Sequence, residues 1–444
     1  MVNPWALHRL AAARKSAGEA VVLLGMGEPD TPSAPAALEA VQAAVARGEE
    51  GYAEGLGLPE LRAALAERLG AAGPDCVSIT CGAQTALFIA VSMLCRRFRE
   101  RACRGGAPEG SAPLVLTPTP LYATYEHTVA MAGGRLLAVP QPASDDFRLS
   151  PASLDAALAA HPGAAAAILI TNPHNPTGHL IGADTLGELG AICERHDVTL
   201  IADEVYGALV YGDNPQARLF RSCTAVPGLC QRAICLGSFS KIGLRPGWRV
   251  GWMAVPPALQ AAAQAVSEAV LYGVSPLTQH AALAVMPLLA PGNAEAARYA
   301  ARLAALLAGL GGSALVRPIV PQAGMFVLVD VCSASGAPGG LAFAEALLDG
   351  HGFSVLPGEA FGAELAPFIR VGLLAAPEDM RAAGRAIVAC AQSFQAASQG
   401  QAAPSPGAPP HGVAQHMNAN SPPSASKTFS NCVINIYGVV YLRV

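Results

Sequence analysis

The sequence predicts an α/β fold, with a large domain built on a mostly parallel sheet flanked by helices and a smaller α+β domain after it. Three observations carry that expectation. Short apolar, β-prone runs alternate with helical stretches from about residue 34 onward, and the runs are nearly continuous in apolar residues, as in strands buried on both faces. After about residue 257 the alternation gives way to long Ala/Leu helices. The chain of 444 residues is 52% hydrophobic but only 5% aromatic and 14% charged, which supplies a large core of small aliphatic side chains and excludes a wholly disordered or collagen-like chain.

Taken in order, residues 4–17 read as a short helix and 20–30 as an extended entry ending in a Gly-rich turn. Helical patterns over 34–47, 58–70, 83–98, 151–160 and 183–196 are interleaved with strand-like runs at 77–80, 114–117, 167–171, 198–202, 233–236 and 250–255. Helices follow at 257–271, 276–290 and 293–310, then short strands with a helix at 341–349. The expected organisation is an N-terminal arm over 1–30, a large domain over 31–285 and a small C-terminal domain over 286–395 that includes part of the arm. Residues 396–427 are rich in Ala, Gln, Pro, Ser, Gly and Asn and bury too little apolar surface to offset their ordering, so the tail over 396–444 is expected to be disordered. Its last stretch, 432–444, is apolar and β-prone but too short to span a bilayer. It reads as an edge strand on another surface or an artefact of the gene model, with a membrane or partner anchor as the alternative.

The 28 basic and 32 acidic residues nearly cancel, so the net charge of -4 gives no electrostatic case for nucleic acid or an anionic membrane as partner. The 11 cysteines form no C-x-x-C pair and no His/Cys cluster at zinc-ligand spacing; no metal is expected, and reduced thiols in a cytoplasmic setting fit. The apolar run at 20–24 is too short for a signal-peptide core. The basic residues His8, Arg9, Arg14 and Lys15 leave an organelle transit signal as the alternative to a cytoplasmic location.

One count discriminates further. Lysine occurs only at Lys15, Lys241 and Lys427, against 25 arginines. Lysine offers what guanidinium cannot, an amine that loses its proton and attacks a carbonyl. Lys241 ends the run Gly237-Ser238-Phe239-Ser240-Lys241 directly after a strand, where α/β enzymes hold their ligands. Ala202-Asp203-Glu204-Val205-Tyr206 follows another apolar run, and a carboxylate there is costly unless paired, for example with a protonated ring nitrogen. Tyr206 could reach a neighbouring phenolic oxygen. Thr171-Asn172-Pro173-His174-Asn175-Pro176-Thr177-Gly178 follows a third run, and its two Asn-Pro bonds suggest a rigid loop with a cis isomer at one of them.

The order of these motifs, with Arg249 after the lysine, resembles the fold type I pyridoxal-phosphate enzymes and, within them, the class I/II aminotransferases of the aspartate aminotransferase superfamily. The resemblance runs from about residue 20 to 390. It includes Gly25-x-Gly27-x-Pro29-Asp30, Tyr52 with Gly55-x-Gly57-x-x-Glu60-Leu61-Arg62, Gly82-Ala83-Gln84, Pro120-x-Tyr122-x-x-Tyr125, Pro357-Gly358-x-x-Phe361-Gly362 and Ile369-Arg370-Val371-Gly372. It implies pyridoxal 5'-phosphate as cofactor, ping-pong transfer of an amino group between an L-amino acid and a 2-oxo acid, and a homodimer.

Residue by residue, the resemblance implies that Lys241 carries the cofactor and moves a proton between it and the substrate Cα, while Asp203 keeps the ring nitrogen protonated. Tyr206 and Asn175 would bond the 3′-oxygen, and Tyr122 would stack on the ring. Gly82, Ala83 and Gln84 would cup the phosphate at a helix N-terminus. Ser238, Ser240, Arg249 and Tyr52 of the partner subunit would complete the cup. Arg370 would grip the substrate α-carboxylate with its planar fork, helped by the Gly27 backbone and Asn175.

Gln84 stands where bacterial-type aspartate aminotransferases of this subgroup carry a lysine for the distal carboxylate, which favours neutral or aromatic amino acids over aspartate. A lyase or a cyclopropane-forming synthase shares the same lysine, aspartate and phosphate cup and stays open as an alternative. A non-catalytic cofactor-binding regulator is a third reading; the first 30 residues are too few for a DNA-binding domain and the tail is not basic.

Overall fold

The apolar runs of the first half assemble into one sheet because they have nowhere else to bury two faces. The computed structural model describes residues 4–103, 112–212, 220–290 and 292–400. Helix α1 (Pro4–Ser16) and a short strand β1 (Val22–Leu23) are followed by α2 (Pro35–Ala46) and α3 (Pro59–Leu69). Both α2 and α3 begin at proline, whose missing N–H costs nothing in a first helical turn. Next come β2 (Val77–Thr80), α4 (Ala83–Arg101), β3 (Leu114–Thr119), α5 (Tyr125–Met131), β4 (Arg135–Pro140), α6 (Pro151–Ala159) and β5 (Ala165–Thr171). Helix α7 (Ala183–Arg195) precedes β6 (Thr199–Asp203), β7 (Ala233–Ser238) and β8 (Gly251–Ala254).

These strands form a seven-stranded sheet in the order β2-β8-β7-β6-β5-β3-β4. Every neighbouring pair from β7 to β4 is parallel, whereas β8 runs against both β2 and β7. The reversal has a local cause: the link from β7 to β8 is taken up by short 3-10 turns, with no helix to make a parallel crossover. The sheet is therefore mixed but mostly parallel, as expected.

The rest of the chain gives α8 (Gln260–Leu271), α9 (Pro276–Ala284), α10 (Ala294–Leu310), β9 (Arg317–Ile319), β10 (Phe326–Asp330), α11 (Gly340–His351), β11 (Phe353–Ser354), β12 (Leu356–Pro357), β13 (Phe368–Gly372) and α12 (Pro377–Ser398). Four of these strands form an antiparallel sheet, β12-β13-β10-β9, while β1 pairs with β11 in parallel. Helices α10 and α12 cross at glycine: a Cβ on Gly309 would lie 2.2 Å from the Arg381 carbonyl oxygen, and one on Gly384 2.5 Å from that of Leu306.

Several elements depart from the sequence reading. The helix expected over 276–290 stops at Ala284 and continues as a 3-10 turn, Met286–Leu289, because Pro287 cannot donate into the helical ladder. The run at 257–271 is α-helical only from Gln260. The sequence reading contained neither α5, β4 nor α12. The tail expected to be disordered from 396 begins inside α12, which runs to Ser398; residues 401–444, including the stretch 432–444, lie outside the described residues. Among the described residues no helix is long and apolar enough to cross a membrane, and the described cysteines are free.

The floor of the sheet is packed to backbone contact beneath β7. A Cβ on Gly237 would fall 2.2 Å from the Trp252 ring, which stands edge-to-face against Phe239 with centroids 5.1 Å apart. Gly237→Ala is therefore expected to lower unfolding free energy by about 1–3 kcal/mol in a urea titration. Gly187→Ala, in open space within α7, should leave it unchanged or raise it by up to about 1 kcal/mol.

Candidate active site

The C-terminal ends of β5, β6 and β7 deliver three polar groups to one cleft of about 750 Å³. Lys241 closes the 3-10 turn Phe239–Lys241 after β7, Asp203 is the last residue of β6, and Asn175 lies in the loop after β5. That loop is fixed by Asn172, whose side chain bonds both the N–H (2.9 Å) and the carbonyl (3.1 Å) of Ile181. Both Asn-Pro bonds are cis, where the sequence suggested one. Ala83, Gln84, Tyr122, Tyr206, Ser238, Ser240 and Arg249 line the same cleft. Gly27 and Arg370 adjoin it through hydrogen bonds, while Tyr52 stands outside, 89% exposed, edge-to-face with Tyr272 at 5.1 Å between centroids.

The Lys241 Nζ donates to the Gly27 carbonyl at 2.6 Å. Burial, with the repulsion of Arg370 added, lowers its pKa to about 8, which raises the free-amine fraction at neutral pH well above that of an ordinary lysine. The Asp203 carboxylate accepts from the Tyr125 hydroxyl at 2.8 Å and from the Val205 N–H at 3.2 Å. Burial outweighs those bonds and raises its pKa, so a cationic partner there would be strongly favoured.

Arg370, on β13, is buried and pairs with no carboxylate among the described residues. Its Nη2 donates to the Gly25 carbonyl at 2.8 Å and its Nη1 to Asn175 Oδ1 at 3.1 Å, while its Nε has no partner. The guanidinium lies 3.7 Å from the Phe326 ring centroid and 4.7 Å from that of Phe361, and burial lowers its pKa to about 10. A desolvated cation held only by dipoles and ring faces is a ready receptor for an anion.

A second anion site forms at the start of α4. No side chain caps that helix, and a helix N-terminus leaves its first N–H groups unpaired. Gly82 there has φ +90, and a Cβ on it would lie 2.6 Å from Arg249 Nη2. Arg249 is held by the carbonyls of Cys81 and Pro246, each at 2.9 Å, and the Ser238 and Ser240 hydroxyls are 2.8 Å apart. Backbone donors, two hydroxyls and a guanidinium fit a phosphate dianion. The cleft thus combines a phosphate cup, a buried acid for a ring cation and an amine able to attack a carbonyl, which fits pyridoxal 5'-phosphate.

Residues 19–387 match the family described as aminotransferase class I and II. The chain belongs to that family. An arginine–pyruvate transaminase of Pseudomonas aeruginosa is 34% identical over 397 residues, covering 87% of this chain and 94% of its own. An aromatic-amino-acid aminotransferase of Thermococcus litoralis is 28% identical over 255 residues, 56% of this chain and 60% of its own. The aspartate aminotransferase of Thermus thermophilus, solved with maleate, superposes with a TM-score of 0.75 at 26% identity, covering 88% of this chain and 97% of that one. The protein is a pyridoxal-phosphate-dependent transaminase of fold type I, as the resemblance implied.

The aminotransferase site also contains Tyr125, to which the sequence reading assigned no role. Tyr125 bonds Thr171 Oγ1 as well as Asp203, both at 2.8 Å, and so anchors the acid to β5. The only signal for it was its place in Pro120-x-Tyr122-x-x-Tyr125. The Gln84 side chain is pinned to α5 and its approach, with Nε2 donating to Thr128 Oγ1 at 2.5 Å and Oε1 accepting from Thr124 Oγ1 at 3.0 Å. Glu204, Cys223 and Cys235, far apart in sequence, bring their ligand atoms within 4.8 Å of one another in the core. There the carboxylate accepts the Cys223 N–H (2.7 Å) and the Cys235 thiol (3.2 Å).

In cofactor-free aminotransferase, the rate at which Lys241 reacts with a carbonyl reagent should rise with pH through a midpoint of about 8, since only the free amine attacks. Arg370→Met, by removing a neighbouring positive charge, should move that midpoint upward. A midpoint near the ordinary lysine value of 10.5 would contradict the desolvated geometry.

Proposed function

We propose that the enzyme transfers the amino group of a neutral or aromatic L-amino acid, in preference to aspartate, to a 2-oxo acid by a ping-pong cycle. Bound pyridoxal phosphate supplies an electron sink for the pair left on the substrate Cα when its proton departs. On this reading Lys241 would hold the cofactor, and its amine would take the proton from the substrate Cα. Asp203 keeps the ring nitrogen protonated, with Tyr125 fixing the acid. Tyr206 and Asn175 bond the 3′-oxygen, and Tyr122 covers one ring face. Gly82, Ala83, Gln84, Ser238, Ser240 and Arg249 hold the phosphate. Tyr52, exposed on its own subunit, serves the partner's site, so the working unit is a homodimer. A cytoplasmic location goes with it.

The observation that carries the reading is Arg370, a buried guanidinium held by a carbonyl, an amide oxygen and two rings but, among the described residues, by no carboxylate. Its unmet charge suits the α-carboxylate common to all amino-acid donors. The preference against aspartate rests on Gln84, a neutral side chain already engaged with Thr124 and Thr128. A basic donor is the second reading: Glu28, half in solvent and paired with Arg245 at 2.5 Å, lies close enough to Lys241 to act on its charge, and one relative is an arginine–pyruvate transaminase. We also propose the division into a large domain to residue 285 and a small one from 286, supported by the two sheets being drawn from separate stretches of chain.

A single-turnover reaction of the holoenzyme should convert one equivalent of donor to its 2-oxo acid without releasing ammonia, whereas a lyase would release it. Across a donor panel with pyruvate or 2-oxoglutarate as acceptor, kcat/KM for phenylalanine, leucine or alanine should exceed that for aspartate by at least about tenfold. Arginine as the best donor would favour the second reading, and aspartate as the best would overturn both. Asp203→Asn should slow turnover by at least about 100-fold with the fold intact.

A further inference from the structure

The Gly25-x-Gly27-x-Pro29-Asp30 motif ends on a carboxylate that the site described so far does not use. Asp30 is gripped from α10 by Arg302 in a bidentate pair, Nη1 to Oδ1 at 2.9 Å and Nη2 to Oδ2 at 2.6 Å, with Arg298 Nη1 a further 3.2 Å from Oδ1. Both guanidiniums flank the buried Tyr299 ring, at 5.3 Å and 5.7 Å from its centroid. Arg302 is only 5% exposed, and its Nη1 also donates to the Leu373 carbonyl at 3.1 Å, directly after β13.

The two strands of backbone that Arg302 joins are the ones that hold the working charges. Upstream of Asp30, the Gly25 carbonyl receives Arg370 Nη2 and the Gly27 carbonyl receives Lys241 Nζ. Downstream, Leu373 lies three residues beyond Arg370, and the neighbouring Gly372 N–H donates to the Leu24 carbonyl at 2.7 Å. Backbone carbonyls orient a guanidinium only as well as they are themselves held. The segment over 24–30 is not part of a wide sheet; β1, just before it, pairs over two residues only. The Asp30–Arg302 fork is the bidentate ionic tie that closes its far end.

We infer that Arg302, acting through Asp30, is a positioning residue for substrate binding: its fork locks the segment over 25–30 against the end of β13, so that the Gly25 carbonyl aims Arg370 at the substrate carboxylate. This rests on the reading of Arg370 as the carboxylate grip. The phosphate cup at α4 is built from other elements, so the tie acts on substrate affinity far more than on cofactor affinity.

The test uses holoenzyme variants Asp30→Asn and Arg302→Lys, which keep size and lose the ionic or forked geometry, with Arg370→Lys alongside. Three quantities are read: binding of the deaminated, saturated analogue of the working donor (3-phenylpropanoate for phenylalanine), KM against kcat, and the dissociation constant of pyridoxal phosphate. The tie predicts about 10- to 100-fold weaker analogue binding and a matching rise in donor KM in both variants, with a smaller change in kcat and cofactor affinity within twofold of wild type. The double variant should be no worse than the worse single one, because both remove the same interaction. In cofactor-free protein, amide exchange across residues 24–30 should quicken by about tenfold or more. Analogue affinity within twofold of wild type in Asp30→Asn would overturn the inference, as would equal losses of analogue and cofactor affinity, which mark general destabilisation. If Arg370→Lys also leaves analogue binding unchanged, the carboxylate reading itself fails and the positioning role falls with it.

Discussion

The cleft depends on one constraint: three ionisable groups are withdrawn from water and held by neutral partners instead of by one another. Lys241 leans on a carbonyl, Asp203 on a hydroxyl and an amide, and Arg370 on a carbonyl, an amide oxygen and two ring faces. Each arrangement costs solvation that the fold does not repay locally. What would repay it is a ligand with a cation for Asp203, a carboxylate for Arg370 and a carbonyl for Lys241. A protonated pyridine aldehyde would bring the cation and the carbonyl and an amino-acid substrate the carboxylate, and transamination is the chemistry of the family to which the chain belongs.

The sheet makes that withdrawal possible. Parallel strands buried on both faces end together, so residues after β5, β6 and β7 meet above a dry floor. The single reversal at β8 spends the intervening loop on Lys241 and Arg249, bringing the amine and the guanidinium beside Gly82 from two successive turns of one loop. Glycine lets the backbones close behind them. A Cβ on Gly251 would strike the Gly237 carbonyl at 2.6 Å and Gly82 Cα at 2.8 Å, so β7, β8 and the start of α4 meet at a point where no side chain fits. The second sheet brings Arg370 to the same cleft on β13, where Asn175 bridges it to the loop after β5.

Much of this was legible in the sequence, for identifiable reasons. Buried parallel strands announce themselves as continuous apolar runs, and their motifs follow directly, so Lys241, Asp203 and Asn175 could be placed before any coordinates. The scarcity of lysine sharpened the first of these. The missed strand, β4, lies at the sheet edge with half its residues in solvent, and its pattern is correspondingly weaker. The overlong helix at 276–290 carried its own warning in Pro287. Contacts between distant residues left no local trace: Asp30 meets Arg302 across 272 positions, and Glu204 meets Cys235 across 31. Tyr125 was visible as a motif member, but its bond to Asp203 depends on how α5 follows β3 and could not be read from spacing.

The central claim is that one desolvated lysine, among three in the chain, carries the cofactor. Borohydride reduction of the holoenzyme, which fixes the lysine–cofactor linkage, followed by peptide mapping, tests it directly. The account predicts the label on the peptide containing Lys241 and none on those containing Lys15 or Lys427. Label on either of those lysines, or none on Lys241, would contradict it.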